Sequence, residues 1–210
     1  MTDFSLFETM RYTPGEGIAR LSLHLKRLET SARRLGFMGA EKAGEALAKY
    51  IDASPENLQR LRLELSPSGR ITITSVPFTL QPADTVWRIA LAKARTASTH
   101  TLIRHKTTRR ALYETARAEF PTDTVNEVIL LNEKGELAEG TITNLFVEDD
   151  EGRLMTPPLS SGCLAGVLRT SLICARKAYN RRLRPEDLNG RNLYVGNSLR
   201  GLIRAELIGK

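Results

Sequence analysis

Residues 58–76, LQRLRLELSPSGRITITSV, alternate apolar and polar side chains on both sides of SPSG. A period of two belongs to a half-buried strand, and Ser-Pro-Ser-Gly is turn chemistry, so the stretch predicts a β-hairpin with one apolar face. The segments before it complete a small lobe. FSLFETMRY, TPGEG and IARL read as strand, turn and strand, because Pro14, Gly15 and Gly17 suit the backbone of a turn. Ser22 is expected to cap a helix in which Leu25, Leu28, Ala32 and Leu35 share one face and Gly36 supplies the stop, with His24, Arg27 and Arg34 off that stripe. A second helix is expected over AEKAGEALAKYIDA.

PFTLQPADT has linker composition, so the lobe boundary is placed there, giving a small α+β lobe at 1–80 and a larger one at 81–210. The larger lobe begins with the strand VWRIALAK. After the loop ARTASTHTLIRH a helix is expected to start at Thr107 or Thr108 and run to about Phe120, before Pro121. NEVILLN, ELAEGT and NLFVED read as an antiparallel meander, GVLRTSLICARKAY as a helix starting at a glycine, and NLYVGNSL and GLIRAELI as closing strands. The fold class is α+β, two-lobed, each lobe built of sheet plus helices.

No run approaches the roughly 18 consecutive apolar residues of a membrane helix, and MTDFSLFETM lacks the basic-then-apolar order of a signal peptide, so a cytoplasmic protein is expected. Cys163 and Cys174 form no CxxC pair, and His24, His100 and His105 fit no metal-ligand spacing; free thiols and no bound metal follow. The 31 Lys and Arg exceed the 24 Asp and Glu, leaving a net charge of +7. That charge is dispersed in short groups, and no RNP, zinc-finger or KH-like signature accompanies it. A non-enzymatic nucleic-acid binder therefore remains an alternative that rests on charge alone.

Several polar residues fall at the ends of elements, where sites are built. Lys106, ahead of Thr107 and Thr108, is either a basic residue at a helix entry or, lying near the positive end of the helix dipole, a nucleophile toward a carbonyl. In SGCLAGVLR, Gly162 and Gly166 lead into a helix, so the amides of Val167 and Leu168 either close a turn or offer an anion site. Glu139, followed by Gly140, is an edge carboxylate or a site residue.

The blocks LFETMR, HLKRLETSARRLGF, HKTTRRALYE, LLNEKGELAEGTITNLFV, TPPLSSGCLAGVLR and NSLRGL resemble, in their order and over nearly the whole chain, the fold type IV pyridoxal-phosphate enzymes, or class IV aminotransferases. The resemblance implies pyridoxal 5'-phosphate as cofactor and Lys106 as the lysine that forms a Schiff base with it. It implies that Glu139 contacts the pyridine nitrogen, with Asn144 nearby. The phosphate would be held by Arg27, the Val167 and Leu168 amides and Ser198, with Asn197 alongside. Thr9 falls where a proton relay is expected and Arg11 where a substrate carboxylate would bind.

The family divides into aminotransferases of D- or branched-chain amino acids and a lyase that converts 4-amino-4-deoxychorismate to 4-aminobenzoate and pyruvate in folate biosynthesis. Branched-chain enzymes usually place a tyrosine where this chain has Ala111, and a Gly-Thr pair where it has Asn197 and Ser198. HKTTRRALYE, TPPLSSG and NSLRG resemble the lyases most. The resemblance further implies a homodimer acting on a small-molecule amine with carboxylate groups, without nucleic acid or membrane. The chain starts almost at the FET block, without the strand that usually precedes it in the family.

Overall fold

The computed structural model describes residues 3–51 and 56–208. Asp52 and Ala53, at the end of the expected second helix, lie outside the described residues. The chain divides into two compact units, Met1–Leu80 with His105–Arg109, and Gln81–Arg104 with Arg110–Lys210. The short segment around Lys106 thus belongs to the smaller unit although it is embedded in the sequence of the larger.

The smaller unit carries β1 (Leu6–Thr13), β2 (Gly17–Ile18), α1 (Leu21–Leu35), α2 (Ala43–Ile51), β3 (Gln59–Leu65) and β4 (Ile71–Pro77). The strands form one sheet in the order β2-β1-β3-β4. The alternation in β3 does what its period requires: Leu61, Leu63 and Leu65 are fully buried, while Arg60, Arg62 and Glu64 take the opposite face. The leucines pack with Leu6, Met10, Leu28, Ala32 and Leu47, and each buried leucine side chain contributes about 2 kcal/mol.

Two expectations about α1 are corrected. Its N-cap is Arg20, in the left-handed region at φ 57°, and Ser22 lies inside the helix. His24 is on the buried face with Leu28, Ser31 and Ala32, because positions four apart share a face and the stripe runs through 24, 28 and 32. At the other end Gly36, at φ 74°, returns its N–H to the Ala32 carbonyl as a glycine stop should.

The larger unit holds β5 (Val86–Thr96), α3 (Ala111–Ala118), β6 (Glu127–Asn132), β7 (Leu137–Gly140), β8 (Asn144–Glu148), β9 (Leu154–Thr156), α4 (Val167–Cys174), β10 (Ala178–Asn180), β11 (Leu193–Asn197) and β12 (Gly201–Leu207). Its sheet runs β10-β9-β8-β11-β12-β5-β6-β7. β6 reads as an unbroken apolar run because it is covered on both faces: Ile129 and Leu131 join a core with Trp87, Leu145 and Val195, while Val128 and Leu130 join one with Ala90, Ala92 and Ala116. The meander is corrected: β6 pairs with β7, but β8 pairs with β9 and β11. The reason is the Thr141–Thr143 turn, which wraps the buried Glu127 carboxylate and sends the chain away from β7. KAY, expected at the end of a helix, lies beyond α4; Ala178 and Tyr179 are in β10. Among the described residues, no helix is long and apolar enough to cross a membrane.

Candidate active site

In the smaller unit Lys106 sits on extended backbone. The helix expected at Thr107 or Thr108 starts at Ala111, so the dipole argument for Lys106 does not hold. Thr107 and Thr108 are β-branched and favour the extended form, and β1 offers them an edge. Phe7 donates its N–H to the Lys106 carbonyl at 3.0 Å, Thr108 donates to the Ser5 carbonyl at 2.9 Å, and Leu6 and Thr107 form a bridge. The Ser5 N–H is also bound by the Thr108 hydroxyl at 2.9 Å. The Lys106 ammonium lies 4.4 Å from the centre of the Phe7 ring, and the Arg62 guanidinium lies 4.1 Å from the same centre.

Alternation along β1 puts Phe7, Thr9 and Arg11 on one face and Leu6, Glu8 and Met10 on the other. Thr9 stands opposite Arg62 and Arg11 opposite Arg60. The structure therefore brings Lys106, Thr9 and Arg11 to the same side of one strand. Arg27 addresses the other side. Its Nε donates to Glu8 Oε1 at 2.8 Å and a terminal nitrogen to Oε2 at 2.5 Å, a two-point grip that fixes the guanidinium plane.

Glu8 is a buried acid among leucines, and His24 shares it, with Nδ1 at 2.7 Å from Oε2. Burial works against its charge, but the Arg27 charge and the His24 and Arg27 hydrogen bonds prevail and bring the carboxyl down to about 2. Burial pushes His24 below its ordinary value, against the pull of Glu8. A neutral imidazole beside a carboxylate must donate from Nδ1, which fixes the tautomer.

In the larger unit Glu139, on β7, is buried with both oxygens engaged. The Tyr113 hydroxyl donates to Oε1 at 2.7 Å and the Leu164 N–H to Oε2 at 3.1 Å. Asn144 donates from Nδ2 to the Leu164 carbonyl at 3.1 Å, so one residue, Leu164, links Asn144 to Glu139 through its N–H and its carbonyl. Cys163 is buried next to these groups; burial, with the Glu139 charge adding to it, pushes its thiol up to about 12.

Gly166 precedes α4, and a Cβ there would stand 1.8 Å from Asn144 Oδ1. Only glycine lets the chain enter the helix this close to Asn144. Among the described residues no side chain caps α4 and none in its first turn is acidic. The first-turn amides of Val167 and Leu168 have no acceptor inside the helix. Buried Arg169, which donates to the Pro157 carbonyl at 2.8 Å and to Asn180 Oδ1, adds a positive charge to that turn. This end of the helix suits an anion such as a phosphate, and a buried carboxylate such as Glu139 suits a ring N–H. Asn197 donates to the Ile142 carbonyl at 3.1 Å and accepts from the Arg200 N–H at 3.0 Å; Ser198, next to it, is buried.

Four further residues escaped the sequence reading: Glu8, His24, Tyr113 and Glu127. The signal for Glu8 was an acid at an inward position between Leu6 and Met10, and for His24 a polar residue four before Leu28. Tyr113 and Glu127 show their partners only once the chain is folded.

A model of the family described as Amino-transferase class IV matches residues 5–208. A Schizosaccharomyces pombe protein, "Putative aminodeoxychorismate lyase", is 30% identical over 99% of this chain and 91% of its own length. A "Probable branched-chain-amino-acid aminotransferase" of Thermotoga maritima is 28% identical over 84% of this chain and 68% of its own. The crystal structure of a "Putative amino-acid aminotransferase" from Mesorhizobium loti superposes with a TM-score of 0.94 at 44% identity, covering 98% of this chain and 100% of that one. With its α+β, two-unit fold and a family match over almost its entire length, the chain belongs to the class IV aminotransferases, the fold type IV enzymes that depend on pyridoxal phosphate.

Proposed function

We propose that the protein is a pyridoxal-phosphate lyase that converts 4-amino-4-deoxychorismate to 4-aminobenzoate and pyruvate, a step of folate biosynthesis. One observation carries the reading: Lys106 is fastened along β1 on the side that also bears Thr9, so a base and a hydroxyl proton donor share one strand face. Likeness to the S. pombe protein over 99% of the chain supports it.

In this reading Lys106 anchors the cofactor and Glu139 accepts from its ring N–H. The Val167 and Leu168 amides, Ser198 with Asn197 beside it, and Arg27 would hold its phosphate; Asn144 keeps the Leu164 backbone against Glu139. Bound pyridoxal phosphate supplies an electron sink for the pair left on the substrate carbon when its proton is removed. Lys106 takes the proton from the carbon that bears the amine. The ring carbon–oxygen bond then breaks, the ring becomes aromatic, and enolpyruvate leaves. Thr9 or Lys106 returns a proton to it, so one proton is taken and one given, with no net oxidation. Arg11 binds a substrate carboxylate. The enzyme is read as a cytoplasmic homodimer.

The second reading, a class IV aminotransferase of amino acids, is favoured by the 44% identity to the M. loti structure. In that case Lys106 would still take the proton from the carbon that bears the amine, and turnover would require a 2-oxo acid as amino acceptor. Purified protein given aminodeoxychorismate without an amino acceptor is expected to release pyruvate and 4-aminobenzoate in equal amounts over many turnovers. Strict dependence on a 2-oxo acid would sink the lyase and leave the transaminase.

A further inference from the structure

We infer that Tyr113 is the positioning residue for the Glu139 carboxylate, holding it as an oriented anion for the ring nitrogen of the cofactor; the inference rests on the cofactor reading above. The tyrosine that branched-chain enzymes usually place at the position of Ala111 is absent, yet a tyrosine stands two residues later, within the first turn of α3. Its hydroxyl is 2.7 Å from Glu139 Oε1. Burial, reinforced by the Glu139 charge, raises the phenol far above its ordinary value, so it stays protonated and acts as the donor.

The ring is itself held. The Arg110 guanidinium lies 4.6 Å from its centre and donates to the Thr141 carbonyl at 2.5 Å, in the turn that follows Glu139 and Gly140. That turn is bound in turn by Glu127, through the Thr141 hydroxyl at 2.6 Å and the Thr143 hydroxyl at 2.8 Å. Tyr113 and Glu139 are thus tied to one rigid piece of backbone. The Leu164 N–H fixes the second carboxylate oxygen. A donor on each oxygen sets the carboxylate plane and stabilises its charge, and a carboxylate offers about four acceptor sites in all. Stabilising the anion keeps the shared proton on the ring nitrogen, which is the form that withdraws electrons. Removing the phenol hydroxyl would take the donor from Oε1, leaving the anion less stabilised and its plane less firmly set while the Leu164 N–H still holds Oε2.

The test measures the affinity of purified apoprotein for pyridoxal phosphate, and the pH midpoint of the visible absorbance of bound cofactor, in wild type, Tyr113→Phe, Glu139→Gln and the double variant. Tyr113→Phe is expected to weaken binding about tenfold and to shift the midpoint, as loss of a hydrogen bond to a charged group does. In the Glu139→Gln background the same change should have less than about a twofold effect, because the group it positions has lost its charge. Arg110→Gln, which releases the ring without touching Glu139, should show a smaller shift of the same sign and serves if Tyr113→Phe does not fold. An unchanged affinity and midpoint in Tyr113→Phe, or an equal loss with and without Glu139, would overturn the inference while leaving the cofactor reading intact. Wild-type protein that takes up no cofactor would overturn both.

Discussion

At the scale of the single residue, the chemistry rests on charges whose partners are prearranged. Glu139 meets a phenol and an amide, and Arg27 is gripped at two points by Glu8, so neither group has to find its orientation when a ligand arrives. The two cysteines provide a check on the packing around Glu139. Cys163 is buried with its thiol held near 12, and Cys174, at the end of α4, is exposed. Only a thiolate attacks a disulfide reagent, so titration of native protein at neutral pH should modify Cys174 and spare Cys163 until denaturant is added. Rapid modification of Cys163 in the native protein would mean that the Glu139 surroundings are open to water.

At the scale of the element, much was legible because period decides it. The β3–β4 hairpin, α1 with its glycine stop, and β6 follow from alternation, helical spacing and an unbroken apolar run. The start of α3 was not legible. Thr107 and Thr108 are acceptable before a helix and equally acceptable in a strand, and the decision belongs to β1, roughly a hundred residues earlier in sequence, whose edge they complete. Lys106, Glu139 and the glycine before α4 could be singled out from the sequence, whereas Glu127 could not, since its value lies in the turn it binds. Glu127 accepts from the Thr141 and Ile142 N–H groups at 2.9 and 3.0 Å and from two threonine hydroxyls. Glu127→Ala would strand these donors in the interior, and urea unfolding is expected to show a loss of about 3 kcal/mol. A loss below about 0.5 kcal/mol, the size of a surface change, would show that the turn holds itself without Glu127.

At the scale of the whole molecule, the buried Glu8–His24 pair makes stability depend on acid. Glu8 titrates at about 2 in the fold against an ordinary 4.5, so its contribution is complete above about pH 4.5 and is lost as pH falls toward about 2. His24 is lowered from 6.5, so below that pH the unfolded chain takes up the proton first, and stability again falls with pH. Thermal unfolding followed by circular dichroism should therefore show a Tm that declines from pH 7 to pH 3, with a flatter profile below pH 4.5 in Glu8→Gln; an unchanged slope in that variant would remove Glu8 from the account. The central claim is that Lys106, on its extended segment beside β1, anchors the cofactor. Borohydride reduction of the protein loaded with pyridoxal phosphate, followed by peptide mass analysis, tests it most directly. The account predicts the cofactor mass on the peptide containing Lys106, and none on Lys106→Ala; a label on another lysine, or no label on wild type, would contradict it.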